Sequence, residues 1–181
     1  MSRTPNWARA LAFLSAALLV IVLAPGCGYG LVGAGRGSLP TTLKTVYVST
    51  FVNETTRVGL EQRITDAVLR EFSARARLKP VSDRTTADAE LSGVLNSYQV
   101  DPVRFDRDGR ALEYQISVVA KVTLMDRATD KPIFTNPAFL YRQPYTVPTS
   151  AGGYFEVETA AVEELARPFA RSLVSTILEG F

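Results

Sequence analysis

Apolar residues recur at two different periods along the chain. In residues 58–76 and 155–179 they are spaced by three or four positions, which is the period of an amphipathic helix. The two apolar stripes are Leu60, Ile64, Ala67, Val68 and Phe72, and Val162, Leu165, Phe169, Leu173 and Ile177. Each stripe is one-sided, so both helices are expected to cover the same face of a sheet. Pro168 predicts a kink or a break in the second helix. In the first helix, Asp66 with Arg70 and Glu71 with Arg75 are spaced by four residues and are expected to pair on a solvated face.

Alternation of apolar and polar residues predicts five strands, at about 43–51, 78–81, 89–102, 112–126 and 133–146. In the first strand, Val46 and Val48 are expected on one face and Phe51 on the other. The last strand contains three prolines, which cannot donate to a neighbouring strand, so it is expected at an edge. The predicted fold class is α+β. It is a two-layer sandwich with two helices packed on one face of a mixed four- to five-stranded sheet.

The amino-terminal segment is typical of an export signal. Two arginines precede the apolar run 10–24, which as a helix is too short for a hydrocarbon core of about 30 Å. The run ends just before Cys27, the only cysteine, in a setting that resembles a bacterial lipobox, although Ala24 and Pro25 are atypical there. We expect a lipoprotein signal peptide at 1–26, a lipidated glycine-rich tether at 27–41 and a single α/β sandwich domain at 42–181. The alternatives are a retained membrane anchor and an unmodified thiol.

The composition excludes several classes of function. The 181 residues include no histidine, so Ser-His triads and histidine metal sites are absent. Without Arg3 and Arg9, 18 basic residues balance 18 acidic ones, which argues against nucleic acid as a partner. The sequence also has no nucleophile elbow, no Walker loop and no carboxylate cluster with metal-ligand spacing. We therefore expect no enzyme activity, no catalytic residue, no metal site and no cofactor.

Charged residues crowd the predicted turn between the third and fourth strands. They are Arg104, Arg107 and Arg110, with Asp101, Asp106 and Asp108 among them. A solvated hairpin tip is one interpretation. The other is a site for an anionic lipid headgroup, because arginine binds phosphate through two parallel hydrogen bonds.

Several motifs together give the chain a family resemblance. They are Cys27-Gly28-Tyr29-Gly30-Leu31, Phe51-x-Asn53-x-Thr55 and Phe105-x-Arg107-Asp108-Gly109, the last of which leads into Glu113-Tyr114-Gln115-Ile116. Through them the chain resembles the LptE family of lipopolysaccharide-assembly lipoproteins. The resemblance implies a lipid-anchored protein of the outer membrane, on its periplasmic side or inside a barrel lumen. Its partners would be an LptD-type β-barrel, which it helps to assemble and plugs, lipopolysaccharide, and the membrane through the acyl chains of Cys27.

The resemblance also implies lipopolysaccharide-binding residues. In the family a basic residue at the hairpin tip has this role, and its position here corresponds to Arg107. A second basic residue is expected in the loop after the last strand, but residues 149–154 contain no lysine or arginine. Arg110 or Arg142 is the substitute that the sequence offers.

A second resemblance leads to a different function. Lipoproteins that activate a peptidoglycan synthase by direct binding also have a first strand ending in Phe-x-Asn-x-Thr, followed by a helix. The Glu113-Tyr114-Gln115 segment favours the LptE family.

Overall fold

The computed structural model describes residues 39–75, 77–146 and 154–179. The predicted signal peptide, Cys27 and the loop at 147–153 lie outside the described residues. Within the described part, no helix is both long and apolar enough to cross a membrane.

The described elements form a mixed sheet and two helices. The strands are β1 (Thr45–Val48), β2 (Val52–Asn53), β3 (Lys79–Pro80), β4 (Ala89–Phe105), β5 (Ala111–Asp126) and β6 (Lys131–Thr146). The helices are α1 (Leu60–Ala74) and α2 (Tyr154–Glu179). The predicted α+β class is confirmed. The sheet has one more strand than predicted, because Val52 and Asn53, which follow the first predicted strand, form the short strand β2.

The order of the strands is β3-β1-β4-β5-β6, and β2 pairs with β4. The pairings of β1 with β3, β1 with β4 and β2 with β4 are parallel, whereas β4–β5 and β5–β6 are antiparallel. The predicted edge position of the proline-containing strand β6 is confirmed. No described strand pairs with the outer side of β6, so a residue without a backbone N–H, such as proline, is tolerated there.

The interruption between β1 and β2 corrects the predicted orientation of Phe51. Val46 and Val48 are buried as expected, but Phe51 is buried in the same core cluster instead of facing the other way. Its backbone N–H donates to the side-chain Oγ1 of Thr65 on α1, at 3.0 Å, and not to a neighbouring strand. The irregular backbone between the two strands breaks the two-residue alternation on which the prediction depended.

One apolar core joins the two layers. All ten residues of the two predicted helix stripes are buried. They share a cluster with one face of β5, which comprises Ile116, Val118, Ala120, Val122 and Leu124, each completely buried. Both helices therefore cover the same face of the sheet, as predicted. The side chains between these positions on β5 are only partly buried or exposed, so the opposite face is open.

The two helices run side by side in the same direction. Nη1 of Arg63 lies 2.6 Å from Oε1 of Glu163, and Nη2 of Arg75 donates to Oγ of Ser175 at 2.8 Å. The sequence placed Arg75 on a purely solvated face, and the contact with α2 shows that this was wrong. The helix α2 continues through Pro168 without the predicted break.

The charge pattern of α1 is also partly different from the prediction. The expected i,i+4 pair of Glu71 and Arg75 is present at 2.8 Å. The expected pair of Asp66 and Arg70 is not formed, and Arg70 instead lines the groove between the two helices.

A carboxylate fastens the start of β1 to the start of β4. Oδ2 of Asp88 accepts hydrogen bonds from the backbone N–H groups of Lys44, at 2.8 Å, and Thr45, at 2.9 Å. These backbone bonds, with a further bond from the Thr45 hydroxyl, hold the pKa of Asp88 below its ordinary value. The Asp88 carboxylate thus joins the starts of these two parallel strands.

Candidate functional site

The β4–β5 hairpin ends in a tight, internally bonded turn. The N–H of Asp106 donates to the carbonyl of Arg110 at 2.9 Å, and the N–H of Gly109 donates to the carbonyl of Asp106 at 3.2 Å. Gly109 has a φ of 78°, a left-handed conformation that glycine adopts without a steric penalty. The sequence Asp-Arg-Asp-Gly-Arg therefore makes the turn that was predicted for it.

The side chain of Asp106 is hydrogen-bonded to the backbone of this turn. Its Oδ1 accepts from the N–H groups of Asp108 and Arg110, both at 2.8 Å. Arg104, the third arginine of the predicted cluster, is paired with Glu113, from Nε to Oε2 at 2.9 Å. Of the three crowded arginines, one is thus neutralised by a neighbouring strand residue.

The remaining two arginines, Arg107 and Arg110, present their charge to solvent. Both are exposed, and neither forms an ion pair within the described ranges. Two apolar side chains precede them at the end of β4: Val103 is 48% exposed and Phe105 is 55% exposed. The tip therefore offers two cationic guanidinium groups beside exposed apolar surface, a combination suited to an amphipathic anion.

Arg142 does not belong to this tip. It is exposed on β6 and lies opposite Ser117 of β5, about 20 Å along the strands from the turn. Ser117 alternates with the buried Ile116 and Val118, so Arg142 lies on the open face of the sheet. The structure brings Arg107 and Arg110 together on one turn and places Arg142 at a separate position on β6. The lipid-binding role of the tip residues stays a prediction.

A charged cluster at the start of α2 is absent from the predictions made from the sequence. Glu158 is only 8% exposed, and its Oε1 accepts a hydrogen bond from the hydroxyl of Tyr98 at 2.8 Å. Nη1 of Arg57 lies 3.5 Å from the same oxygen, and Nη2 of Arg57 donates to Oγ1 of Thr159. The signal was available, because Glu158 stands four residues before Val162 and so continues the apolar stripe of the helix.

The Phe51-x-Asn53-x-Thr55 motif builds the loop that presents Arg57. Oδ1 of Asn53 accepts from the N–H and the hydroxyl of Thr55, at 3.0 and 2.7 Å. Nδ2 of Asn53 donates to the carbonyl of Arg57 at 2.8 Å and to Glu61 at 2.7 Å. Every polar atom of the Asn53 side chain is thus used within the domain. The motif therefore has a structural role in this chain: it holds the loop in place.

Among the residues that the structure describes, no group of three or more cysteine, aspartate or glutamate side chains is arranged to hold a metal ion. The chemistry that the tip can perform is the binding of anions. Its donors are guanidinium groups, and Asp106 and Glu113 are already hydrogen-bonded.

The fold is similar to that of several solved bacterial structures. A protein from Xanthomonas campestris matches with a TM-score of 0.54 at 13% identity, covering 80% of this chain and 92% of that one. An uncharacterised lipoprotein B from Nitrosomonas europaea matches with a TM-score of 0.50 at 18% identity, covering 84% and 88%. A hypothetical protein from Chlamydia trachomatis matches with a TM-score of 0.51 at 9% identity, covering 75% and 96%. At such identities the likeness concerns the fold alone.

Comparison of sequences gives a more specific result. No curated protein matches this chain significantly. The sequence model of the family LptE, described as lipopolysaccharide-assembly, matches residues 43–177. That range contains all six strands, the whole of α1 and all but the last two residues of α2. By this match, the chain belongs to the LptE family of lipopolysaccharide-assembly proteins.

Proposed function

We propose that this protein serves in lipopolysaccharide transport to the outer leaflet as a subunit of an LptD-type outer-membrane barrel. In this role it assists assembly of the barrel, fills part of its lumen and contacts lipopolysaccharide. Acyl chains on Cys27 anchor it to the outer membrane, on the periplasmic side or within the lumen. Family membership supports this assignment.

The observation that carries the lipid contact is the arrangement at the β4–β5 tip. Arg107 and Arg110 are exposed without an ion-pair partner among the described residues, next to the exposed ring of Phe105. Lipopolysaccharide presents phosphate groups beside acyl chains, so charge and apolar surface have complementary partners on the same ligand. A hydrogen bond to a charged group contributes about 1.5–3 kcal/mol.

The test is the variant Arg107→Asp in the full-length protein, purified in a non-ionic detergent. Loss of the donor and added repulsion should weaken binding to lipopolysaccharide by at least about tenfold, since about 1.4 kcal/mol corresponds to one decade. The melting temperature should hardly change, because an exposed turn charge contributes little to folding.

The matched control is Lys131→Asp. Lys131 is exposed and begins β6, beside the turn at the other end of the sheet, about 50 Å from the tip along β5. Arg75 is unsuitable as a control position, because it has contacts on both helices. Equal weakening in both variants would indicate diffuse electrostatics and would refute a tip site.

The barrel partnership has a separate test. Capture of the tagged full-length protein from solubilised outer membrane should recover an LptD-type barrel. Recovery of a peptidoglycan synthase instead would support the alternative function. That alternative depended on Phe51-x-Asn53-x-Thr55, whose polar side chains are engaged in bonds inside the domain.

A further inference from the structure

A charged groove separates the exposed surfaces of α1 and α2. It lies between the two cross-helix contacts, Arg63 with Glu163 at one end and Arg75 with Ser175 at the other. Its lining consists of Ala67, Arg70, Glu71, Ala74, Arg167 and Arg171. The groove is remote in sequence from the β4–β5 tip and contains none of its residues.

Positive charge dominates this groove. Arg70, Arg167 and Arg171 are exposed and form no ion pair within the described part of the chain. The lining carboxylate, Glu71, is already bonded to Nε of Arg75 at 2.8 Å.

The acidic residues on the neighbouring surface do not cancel this charge. Glu163 is paired with Arg63. Glu164 lies with Arg167 on the surface next to the groove and adds one carboxylate there. Three guanidinium groups thus face a groove whose own carboxylate is neutralised.

This arrangement is unfavourable for the domain alone. Arg167 and Arg171 are an i,i+4 pair of like charge on one helix, which destabilises a helix slightly, and Arg70 adds a third charge from the other helix. Asp66 is one turn before Arg70, where it could form a salt bridge, but the two are not paired. Ala67 and Ala74 have short side chains and leave the groove open between the arginines. A bound anion would relieve the repulsion and use the space.

We propose that the groove between α1 and α2 binds an anion that carries at least two phosphate groups. Arginine recognises phosphate through two parallel hydrogen bonds, and Arg167 and Arg171 are spaced by one helical turn, about 6 Å. Neighbouring phosphates of one ligand can therefore be bound by successive arginines, with Arg70 closing the site from α1. The source of the phosphates is either a soluble polyphosphate or a phosphorylated glycolipid headgroup. The inference does not depend on the function proposed for the tip.

The test uses the full-length protein in non-ionic detergent and inorganic tripolyphosphate as the probe, measured by isothermal titration calorimetry at an ionic strength of about 0.15 M, where distant charges are screened. The variant Arg70→Gln/Arg167→Gln/Arg171→Gln should weaken binding by at least about tenfold. The variant with lysine at the same three positions keeps the charge but loses the paired hydrogen bonds, and should weaken binding by about threefold or more.

The control removes three charges elsewhere, in Lys79→Gln/Lys121→Gln/Lys131→Gln. These lysines are exposed on β3, β5 and β6 and none lines the groove. This variant should change the affinity by less than about twofold at fixed salt, since distant exposed charges are largely screened. Equal loss in the control and the arginine variant, or no binding by the unaltered protein, would overturn the proposal.

Competition identifies the source of the phosphates. Displacement of tripolyphosphate by lipopolysaccharide, but not by dephosphorylated lipopolysaccharide, would assign the groove to the lipid headgroup; no displacement would assign it to a soluble polyphosphate. Arg107→Asp removes the tip as a second anion site, and the tripolyphosphate binding that remains should still be lost when Arg70, Arg167 and Arg171 are also replaced by glutamine. The proposals for the groove and for the tip can therefore be refuted independently.

Discussion

The aromatic ring of Phe51 lies directly over Gly93 of β4, in the space that a side chain at position 93 would occupy. A Cβ atom built on Gly93 would overlap three atoms of the ring. Phe51 is 2% exposed and belongs to the core cluster, so its ring cannot move into solvent without leaving the core. Glycine at position 93 is thus what allows the chain between β1 and β2 to pack onto the sheet.

The variant Gly93→Ala should therefore be destabilised. Overpacking a well-packed core costs about 1–3 kcal/mol, and the ring is enclosed on the core side. Urea denaturation followed by circular dichroism measures the change. The control is Ser92→Ala, because Ser92 is exposed on the opposite face of the same strand and should change stability by less than about 0.5 kcal/mol. Equal stability of the two variants would contradict the close approach of Phe51 and Gly93.

The Arg57–Glu158 pair gives a second prediction. Arg57→Met removes the cation and leaves the Glu158 carboxylate, which is 8% exposed, hydrogen-bonded to the Tyr98 hydroxyl of β4. Breaking one side of a largely buried ion pair costs more than neutralising both, because an uncompensated charge remains. The unfolding free energy should fall by about 1–3 kcal/mol in Arg57→Met and partly recover in Arg57→Met/Glu158→Gln.

A double-mutant cycle with Glu158→Gln alone completes this measurement. If the two single variants simply add, with no recovery in the double variant, then Arg57 and Glu158 are not coupled and the 3.5 Å contact has no energetic consequence.

The proposed anchor gives a third prediction. Each buried methylene of an acyl chain contributes about 0.8 kcal/mol to membrane affinity, so acylated Cys27 would hold the protein firmly. Cys27→Ser should leave the protein soluble in the periplasm or with its signal uncleaved. Fractionation is best done in cells that lack the barrel partner, since binding to the barrel would retain the variant by another route. Outer-membrane retention of the variant in those cells would show that acylation is not the anchor.

Local periodicity predicted the parts of the fold that depend on neighbours in sequence. The stripe from Leu60 to Phe72 is buried in full, because a helical period needs only spacings of three and four residues. Contacts between distant segments were not predictable in this way. The turn of Phe51 into the core depends on Gly93, and the partners of Arg75 lie on both α1 and α2.

The residues of the candidate site differ in the same way: some could be predicted from local sequence, and others depend on contacts between distant segments. Arg107 and Arg110 could be assigned to one turn, because Asp106 and Gly109 are local turn signals. The separation of Arg142 from the tip depends on the register between β5 and β6, which a single sequence does not provide. The groove arginines and the Arg57–Glu158 contact were not predicted, because each joins residues from segments that are distant in sequence. Their proximity depends on how the two helices and the loop before α1 pack together.

The hydrogen bonds of Asp88 predict how stability depends on pH. The backbone N–H groups of Lys44 and Thr45 lower the pKa of Asp88 in the folded protein. Glu90 behaves similarly: burial alone would raise its pKa, but hydrogen bonds from Arg84, Ser49 and Arg127 outweigh burial and lower it. A carboxyl group whose pKa is lower in the folded state binds protons more readily when unfolded. Its contribution to stability is therefore complete above the unfolded pKa, near 4, and is lost as the pH falls through the folded value.

The unfolding free energy should accordingly be constant near neutral pH and fall steadily below about pH 4. Asp88→Asn should lower stability at pH 7 by about 1–3 kcal/mol, because a neutral amide is a weaker acceptor for the three donors of Lys44 and Thr45. Its deficit should shrink as the pH is lowered, since the unaltered protein loses the same interaction by protonation. Asp101→Asn, at an exposed position on β4, should instead follow the pH curve of the unaltered protein. Urea denaturation from pH 7 to pH 2.5 distinguishes these curves, and a deficit of Asp88→Asn that stays constant over this range would mean that the ionised form of Asp88 is not what fastens β1 to β4.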